Sequence, residues 1–219
     1  MSDKIKSQEQ DDVSLDSVAF AHQLNNLLTA ILSNISIAKI DSPSTGEFYR
    51  LLSEAEGAAV EARDLVKQLQ SSEVHETQAD FLEEGEVSGH GALTSKRVLL
   101  VDDDRRAGMA MSRMLEHLGC RVECVSDGDA AVDLYKNADP RFDLVLLDLL
   151  LPGSAGAAET LRQLREFDPK VKAVLVSGHH NAPQMSDYRN LGFQAAIAKP
   201  YRLGELTEVL NRTFSNQTP

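Results

Sequence analysis

Tryptophan is absent from the 219-residue chain, aromatic residues make up only 5% of it, and there are just two cysteines. So few aromatics leave no evident stacking platform for a flavin or a nucleobase. Cys120 and Cys124 stand four apart in a segment that reads as a strand, a separation of roughly 13 Å that no disulfide spans. Both are expected as buried small apolar residues. No apolar run approaches the roughly 20 residues a membrane-spanning helix needs. The polar opening MSDKIKSQEQDD also lacks the apolar core of a signal peptide, so a cytoplasmic protein is expected. Basic residues are scarce too: 22 Lys and Arg against 34 Asp and Glu give a net charge of −12. That balance repels nucleic-acid phosphates and anionic membranes, and with no local basic patch it points to protein partners.

What is present begins with a contrast in periodicity. Ala21, Leu24, Leu28, Ile31, Ile35 and Ala38 alternate at spacings of three and four, which places them on one helical stripe. Phe48, Leu52, Ala55, Ala59, Ala62, Val66 and Leu69 form a second stripe, with Ser44 and Glu47 spaced for a capping box at its start. Two helices and a short turn make a hairpin over residues 14–72, after a disordered stretch at 1–13. One hairpin buries a single face of each helix, so a homodimer paired as a four-helix bundle is expected. Residues 73–95 then carry six acidic and no basic residues with scattered Gly and Ser, the composition of a flexible linker.

From residue 96 to 219 the pattern changes to five short apolar runs, 98–101, 122–125, 144–147, 173–176 and 195–198, alternating with amphipathic stretches. Consecutive apolar residues suit parallel strands covered on both faces by helices. Gly119 and Gly128 fit turns. The fold class is α/β, a flavodoxin-like doubly wound sheet of five parallel strands, whose ligands sit beyond the carboxyl ends at the switch point between strands one and three.

The polar residues at those ends are the informative ones. Strand one ends in Asp102, Asp103 and Asp104, strand three in Asp148, strand four in Ser177 and strand five in Lys199. A single Asp after a strand is ordinarily a cap or turn residue. Four coinciding strand ends are not explained that way. Converging carboxylates need a cation, and hard oxygen ligands suit Mg²⁺. Asp148 could then attack a phosphoryl group whose charge is met by the ion, by the Lys199 ammonium and by a hydrogen bond from Ser177.

Residues 96 to about 214 resemble the response-regulator receiver family, with VLLVDDD, DLVLLDLLLPG, VLVSG and AKPY in the family's order and spacing. The resemblance implies that Asp148 is the phosphoacceptor, that Asp103 binds Mg²⁺ directly and Asp102 through water, and that the Leu150 backbone carbonyl completes the ligands. It also implies switch and phosphate-binding roles for Ser177 and Lys199 and a cis bond before Pro200. Three positions depart from the pattern. Ala196 stands where the family commonly has a switching aromatic, leaving Tyr201 and Phe193 as substitutes. The loop after Pro152 reads GSAG without the usual acidic residue. Leu150 offers an apolar shield that predicts a long-lived acyl phosphate, with His179 acting against it.

The segment FAHQLNNLLTAILSNISIAKI resembles the dimerisation and histidine-phosphotransfer helix of hybrid sensor kinases, through its His-x-x-Asn-Asn-Leu-Leu signature. The likeness spans residues 15 to 70. It implies that His22 carries a phosphoryl group, with Gln23 where such kinases usually have an acidic residue and Asn26 where an amide orients hydrolytic water. Since His22, the Asn25–Asn26 pair, Thr29, Ser33 and Ser36 form a polar stripe, His22 is expected to face solvent. With no ATP-binding domain or glycine-rich nucleotide loop, autophosphorylation from ATP is not expected.

The reading is therefore a dimeric phosphorelay protein without a DNA-binding output. It exchanges phosphoryl groups with a histidine kinase and with another receiver or phosphotransfer protein. A second reading takes the hairpin as a degenerate dimerisation module, with the receiver acting as a phosphate sink or allosteric regulator of a kinase. A haloacid-dehalogenase-like phosphatase using Asp102 and Asp104 is a distant third, because Arg105 and Arg106 break that family's motif.

Overall fold

A computed structural model describes residues 2–71, 93–152, 156–178 and 182–215, with side chains of the N-terminal part described from Phe20 to Gln68. His179 and most of the GSAG loop lie outside the described residues, as does residue 1 and nearly all of the expected linker. The chain forms α1 (Ser2–Ile40), α2 (Glu47–Ser71), β1 (Arg97–Val101), α3 (Arg105–His117), β2 (Arg121–Val125) and α4 (Gly128–Asn137). It continues through β3 (Leu144–Asp148), α5 (Ala157–Phe167), β4 (Ala173–Ser177), α6 (Pro183–Ser186), β5 (Ala195–Ala198) and α7 (Leu203–Ser215).

The sheet is parallel throughout, in the order β2-β1-β3-β4-β5. Alternate strand residues feed two cores. Val98, Leu100, Leu144, Leu146, Val174 and Val176 pack with Met111, Met114 and Leu115 of α3 and with Leu206 and Leu210 of α7. Leu99, Val101, Val145, Leu147, Ala173 and Leu175 pack on the other face with residues of α4 and α5. Burial on both faces is why each strand reads as a continuous apolar run.

Several local expectations are corrected. The first helix extends to Ser2, because no Gly or Pro interrupts the chain before Pro43. The capping box at Ser44 does not form: α2 starts at Glu47 itself, after Gly46 at φ 125°. Gly119, at φ 88°, makes a turn as expected, but Gly128 is the first residue of α4 behind the Asp127 cap. Cys120 is buried, whereas Cys124 is exposed because it lies on the edge strand β2. At the linker boundary, Leu93 is fully buried in the α3 and α7 core, so ordered receiver structure begins before residue 96.

The hairpin folds as predicted, with Ala21, Leu28 and Val66 packed between its helices. Its outer surfaces divide differently from the expectation. Asn25, Asn26, Thr29 and Ser33, the polar stripe expected to face solvent, are buried, and His22 is half-buried. The receiver covers them: α1 lies along α3, with Ser33 Oγ on Met114 Sδ at 3.5 Å, Arg113 Nη1 on Asn34 Oδ1 at 3.2 Å and Ile37 against the α3 and α7 core. Burial is possible because the hydroxyls are satisfied within α1. Thr29 Oγ1 donates to the Asn25 carbonyl and Ser33 Oγ to the Thr29 carbonyl, each at 2.7 Å, leaving a small, smooth surface. By contrast Phe20 (64%), Leu27 (42%), Ile31 (47%), Leu51 (50%) and Leu65 (60%) are exposed in the single chain. Among the described residues, no helix is long and apolar enough to cross a membrane.

Candidate functional site

The ends of β1, β3 and β5 bring Asp102, Asp148 and Lys199 together at the switch point, each less than 5% exposed. Lys199 Nζ donates to Asp102 Oδ2 at 2.7 Å and to Asp148 Oδ2 at 2.6 Å. Burial raises the Asp102 carboxyl to about 6; Lys199 opposes the rise and the Asp148 charge adds to it. Burial also works against the Lys199 ammonium, but Asp148 and Asp102 outweigh it and hold its pKa above the ordinary lysine value. The triad is thus an ion pair shared three ways, with one negative charge in surplus.

Backbone groups fix the carboxylates. The Asp104 N–H donates to Asp102 Oδ1 at 3.0 Å and the Leu150 N–H to Asp148 Oδ1 at 3.2 Å. Asp103 is exposed at the mouth, and one of its oxygens lies within 4.8 Å of an Asp148 oxygen. Ser177 is buried at the end of β4, and the Lys199–Pro200 bond is cis as expected. Leu150 is 46% exposed beside the cleft. Ala196 is partly buried against the α4 and α5 core, where Phe193 also packs. Tyr201 packs in the opposite core, its hydroxyl buried without a hydrogen-bond partner among the described residues.

Asp104, the third carboxylate of the run, does different work. Its Oδ1 caps α3 by accepting from Arg106 N at 2.8 Å and Ala107 N at 3.0 Å, and its Oδ2 accepts from Asn26 Nδ2 at 3.1 Å. Burial would raise this carboxyl, but those N–H donors hold it below the ordinary range.

Asn26 reaches the cleft because the hairpin seats His22 there. Asn26 Nδ2, which donates to Asp104, also lies 3.2 Å from His22 Nε2, so one amide group touches both the cap carboxylate and the imidazole. Asn25 Nδ2 donates to the Gly178 carbonyl at 2.5 Å. A Cβ on Gly178 would stand 2.8 Å from His22 Nδ1, so the close approach depends on glycine. A ring nitrogen of His22 and carboxylate oxygens of Asp103 and Asp148 lie within 4.8 Å of one another. Gln23, on the other side of α1, is exposed.

Sequence reasoning placed the acidic cleft correctly but missed Asn25, Gly178 and Asp104 as the residues that seat the hairpin. The adjacent Asn25–Asn26 pair was the available signal, since two neighbouring amides on one helix edge can grip two different partners.

A parallel sheet whose acidic switch-point cleft holds a buried lysine is the architecture of phosphoryl-accepting receivers, and the fold is CheY-like. The family model for the response regulator receiver domain matches residues 98–211. The chain belongs to that family. It is 32% identical over 122 residues to the transcription factor SKN7 of Saccharomyces cerevisiae, covering 56% of this chain but 19% of that protein. It is 30% identical over 121 residues to protein CcdB of Bacillus subtilis, covering 55% of this chain and 98% of the relative. The chain also spans only 54% of the response regulator MprA of a Mycobacterium, at 32% identity, so both SKN7 and MprA are matched over less than two thirds of their length. Among solved structures, a receiver domain from Methanospirillum hungatei aligns with a TM-score of 0.51 and 27% identity over 57% of this chain and 97% of that one. The receiver domain of the sensor histidine kinase PA1611 from Pseudomonas aeruginosa, solved with magnesium in its active-site cleft, gives 0.51 and 26% over 56% and 100%.

Proposed function

We propose that this chain exchanges a phosphoryl group between Asp148 and His22 of its own hairpin, in a two-component relay fed by a partner histidine kinase. The observation that carries the reading is the seat of His22 over the cleft, a ring nitrogen within 4.8 Å of oxygens of Asp103 and Asp148. Transfer breaks the P–N bond of a phosphohistidine that carries a proton on its other ring nitrogen and forms a P–O bond to an Asp148 oxygen, so that the ring leaves as neutral imidazole; in the reverse step neutral imidazole attacks the acyl phosphate and the Asp148 carboxylate leaves. Donor and acceptor held together supply the proximity such a step needs.

Mg²⁺ fits the donor set. Asp102, Asp103 and Asp148 against Lys199 leave two surplus negative charges, which a divalent ion cancels, and its chemistry here is to neutralise the phosphoryl oxygens. Asp103 and Asp148 would hold it directly, with the Leu150 carbonyl, and Asp102 through water, since both Asp102 oxygens are already engaged. Lys199 would move from bridging carboxylates to meeting the phosphoryl oxygens, aided by the Ser177 hydroxyl.

The test loads Asp148 with acetyl phosphate and Mg²⁺ and follows acid-labile, base-stable phosphohistidine. Label is expected on His22 in the wild type and none in His22→Ala. Wild-type protein that never labels His22, with phospho-Asp148 decaying equally in both, would leave the hairpin as a dimerisation module and the receiver as a sink or regulator. Hydrolysis assisted by Asn26 would show instead as faster decay in the wild type without phosphohistidine.

The hairpin's outer face supports a homodimer. Phe20, Leu27 and Ile31 recur at heptad spacing, and Leu51 and Leu65 continue the exposed apolar surface on α2, which a second copy would cover as a four-helix bundle. The full chain is expected to sediment at twice its 24.0 kDa mass, and the double variant Leu27→Glu, Ile31→Glu as a monomer. Monomeric wild-type protein at micromolar concentration would refute the pairing.

A further inference from the structure

We infer that Arg63 of α2 is a positioning residue for phosphoryl exchange: paired with Glu205 at the start of α7, it stops the docked hairpin from rolling and so holds the His22 ring over Asp148. The inference rests on the exchange proposed above, but the position of the ring can be read without any phosphoryl group.

The contacts that seat α1 are strung along its own length. Asn25 meets Gly178, Asn26 meets Asp104, Ser33 meets Met114 and Asn34 meets Arg113, in chain order down the helix. Contacts along one line resist sliding better than they resist rotation of the helix about its axis. Side chains end roughly 5–6 Å from a helix axis, so a roll of about 20° carries a side-chain tip by roughly 2 Å. A shift of about 1 Å in a reacting group already costs on the order of 10²-fold in rate. Holding His22 in place therefore calls for an attachment away from the α1 axis.

The second helix supplies one. Ala21, Leu28 and Val66 pack between α1 and α2, and Lys39 Nζ donates to Glu56 Oε2 at 2.7 Å, so the hairpin turns as one body. Packed helix axes stand about 8–10 Å apart, which gives a contact on α2 that much leverage against a roll. Arg63 is only 7% exposed, and its Nη1 lies 3.8 Å from Glu205 Oε1. Asp64, 3.3 Å from Arg63 Nε, is its neighbour on the same helix and fixes nothing in the receiver. Glu205 is itself held: Oε2 accepts from the Arg202 N–H at 2.7 Å, and Leu203 and Leu206 beside it are buried. It stands six residues after Lys199, so α2 is tied to the turn that carries the ammonium of the cleft. Docking strips water from the guanidinium, so the pair returns little net stability; what it supplies is one orientation.

Burial and the Arg63 charge lower the Lys67 ammonium while Asp64 and Glu205 oppose them, so Lys67, one turn further on, shares the Glu205 field and would mask a mere truncation of Arg63. Charge reversal is the sharper test, with transfer from phospho-Asp148 to His22 followed in the full chain. Arg63→Glu sets two carboxylates face to face and is expected to slow exchange by about 10-fold or more, while labelling of Asp148 by acetyl phosphate and Mg²⁺ stays within about twofold. The swap Arg63→Glu, Glu205→Arg is expected to bring exchange back to within about threefold of wild type. Glu205→Gln, which keeps an oxygen for the Arg202 N–H, is expected to slow exchange severalfold on loss of charge alone. Exchange at the wild-type rate in Arg63→Glu, or a swap as slow as the single reversal, would overturn the role of the pair, as would labelling that falls in step with exchange. Heteronuclear NMR of the His22 imidazole, assigned with His22→Ala in protein carrying no phosphoryl group, reads the seat directly. Its signals are expected to move in Arg63→Glu and to return in the swap. Signals that move this way in a chain that never exchanges would refute the relay and uphold the seat; unmoved signals would refute the seat.

Discussion

With Asp148 replaced by asparagine, phosphoryl incorporation from acetyl phosphate and Mg²⁺ is expected to fall to background, read as loss of the mass increment of one phosphoryl group on the intact protein. An amide oxygen is a poor nucleophile, and its neutral group withdraws one anionic ligand from the cation that must meet the incoming phosphate. Neither Asp102 nor Asp103 can take over. Asp102 has one oxygen on Lys199 and the other on the Asp104 N–H, and Asp103 is exposed at the mouth, whereas the Lys199 ammonium is bonded to Asp102 and Asp148. The fold should persist, because Lys199 retains Asp102 as a partner and one buried negative charge is relieved. Incorporation in Asp148→Asn at more than about a tenth of the wild-type level would move the acceptor elsewhere; label on Asp102 would favour the haloacid-dehalogenase-like reading.

The second large effect is expected at a residue that touches no phosphoryl group. In Gly178→Leu, the new Cβ would stand 2.8 Å from His22 Nδ1 and 3.7 Å from Asn25 Cβ, closer than the ring can tolerate. All three of the nearest atoms belong to the hairpin, so the receiver itself has room and the strain falls on the docking of α1. Displacing a reacting group by about 1 Å costs on the order of 10²-fold in rate. Exchange between phospho-Asp148 and His22 should therefore fall by about 100-fold or more, while labelling of Asp148 by acetyl phosphate stays within a few-fold of wild type. Equal loss of both would mean that the receiver, and not the docking, had been damaged. Unimpaired exchange would mean that the hairpin reaches Asp148 by a route other than this seat.

These two residues differ in how they could be recognised from sequence. Asp148 follows a continuous apolar run, and together with Asp102, Asp103, Ser177 and Lys199 it falls at the carboxyl ends of strands whose parallel order follows from their composition. The cleft was legible because topology converts strand ends into neighbours. Gly178 carries no such mark. A glycine after a strand serves many turns, and its role here depends on an imidazole 156 residues earlier in the chain. Asp104 is similar: the local reading as a helix cap is correct, and its contact with Asn26 is a tertiary fact layered onto it.

Periodicity by itself determined the helical hairpin, the five strands, the covering of both sheet faces and the convergence of acid and lysine at one edge, since each follows from spacing along a single element. It could not decide which side of the hairpin meets which surface. A stripe of Asn, Thr and Ser reads as solvent-facing, yet here Thr29 and Ser33 bond back to their own helix while Asn25 and Asn26 bond across to Gly178 and Asp104. Their hydrogen bonds are met once the receiver is packed against them, and the apolar Leu27 and Ile31 are left outside. Only the tertiary structure brought His22 to Asp148, because the partners that make burying that stripe favourable lie in a different domain.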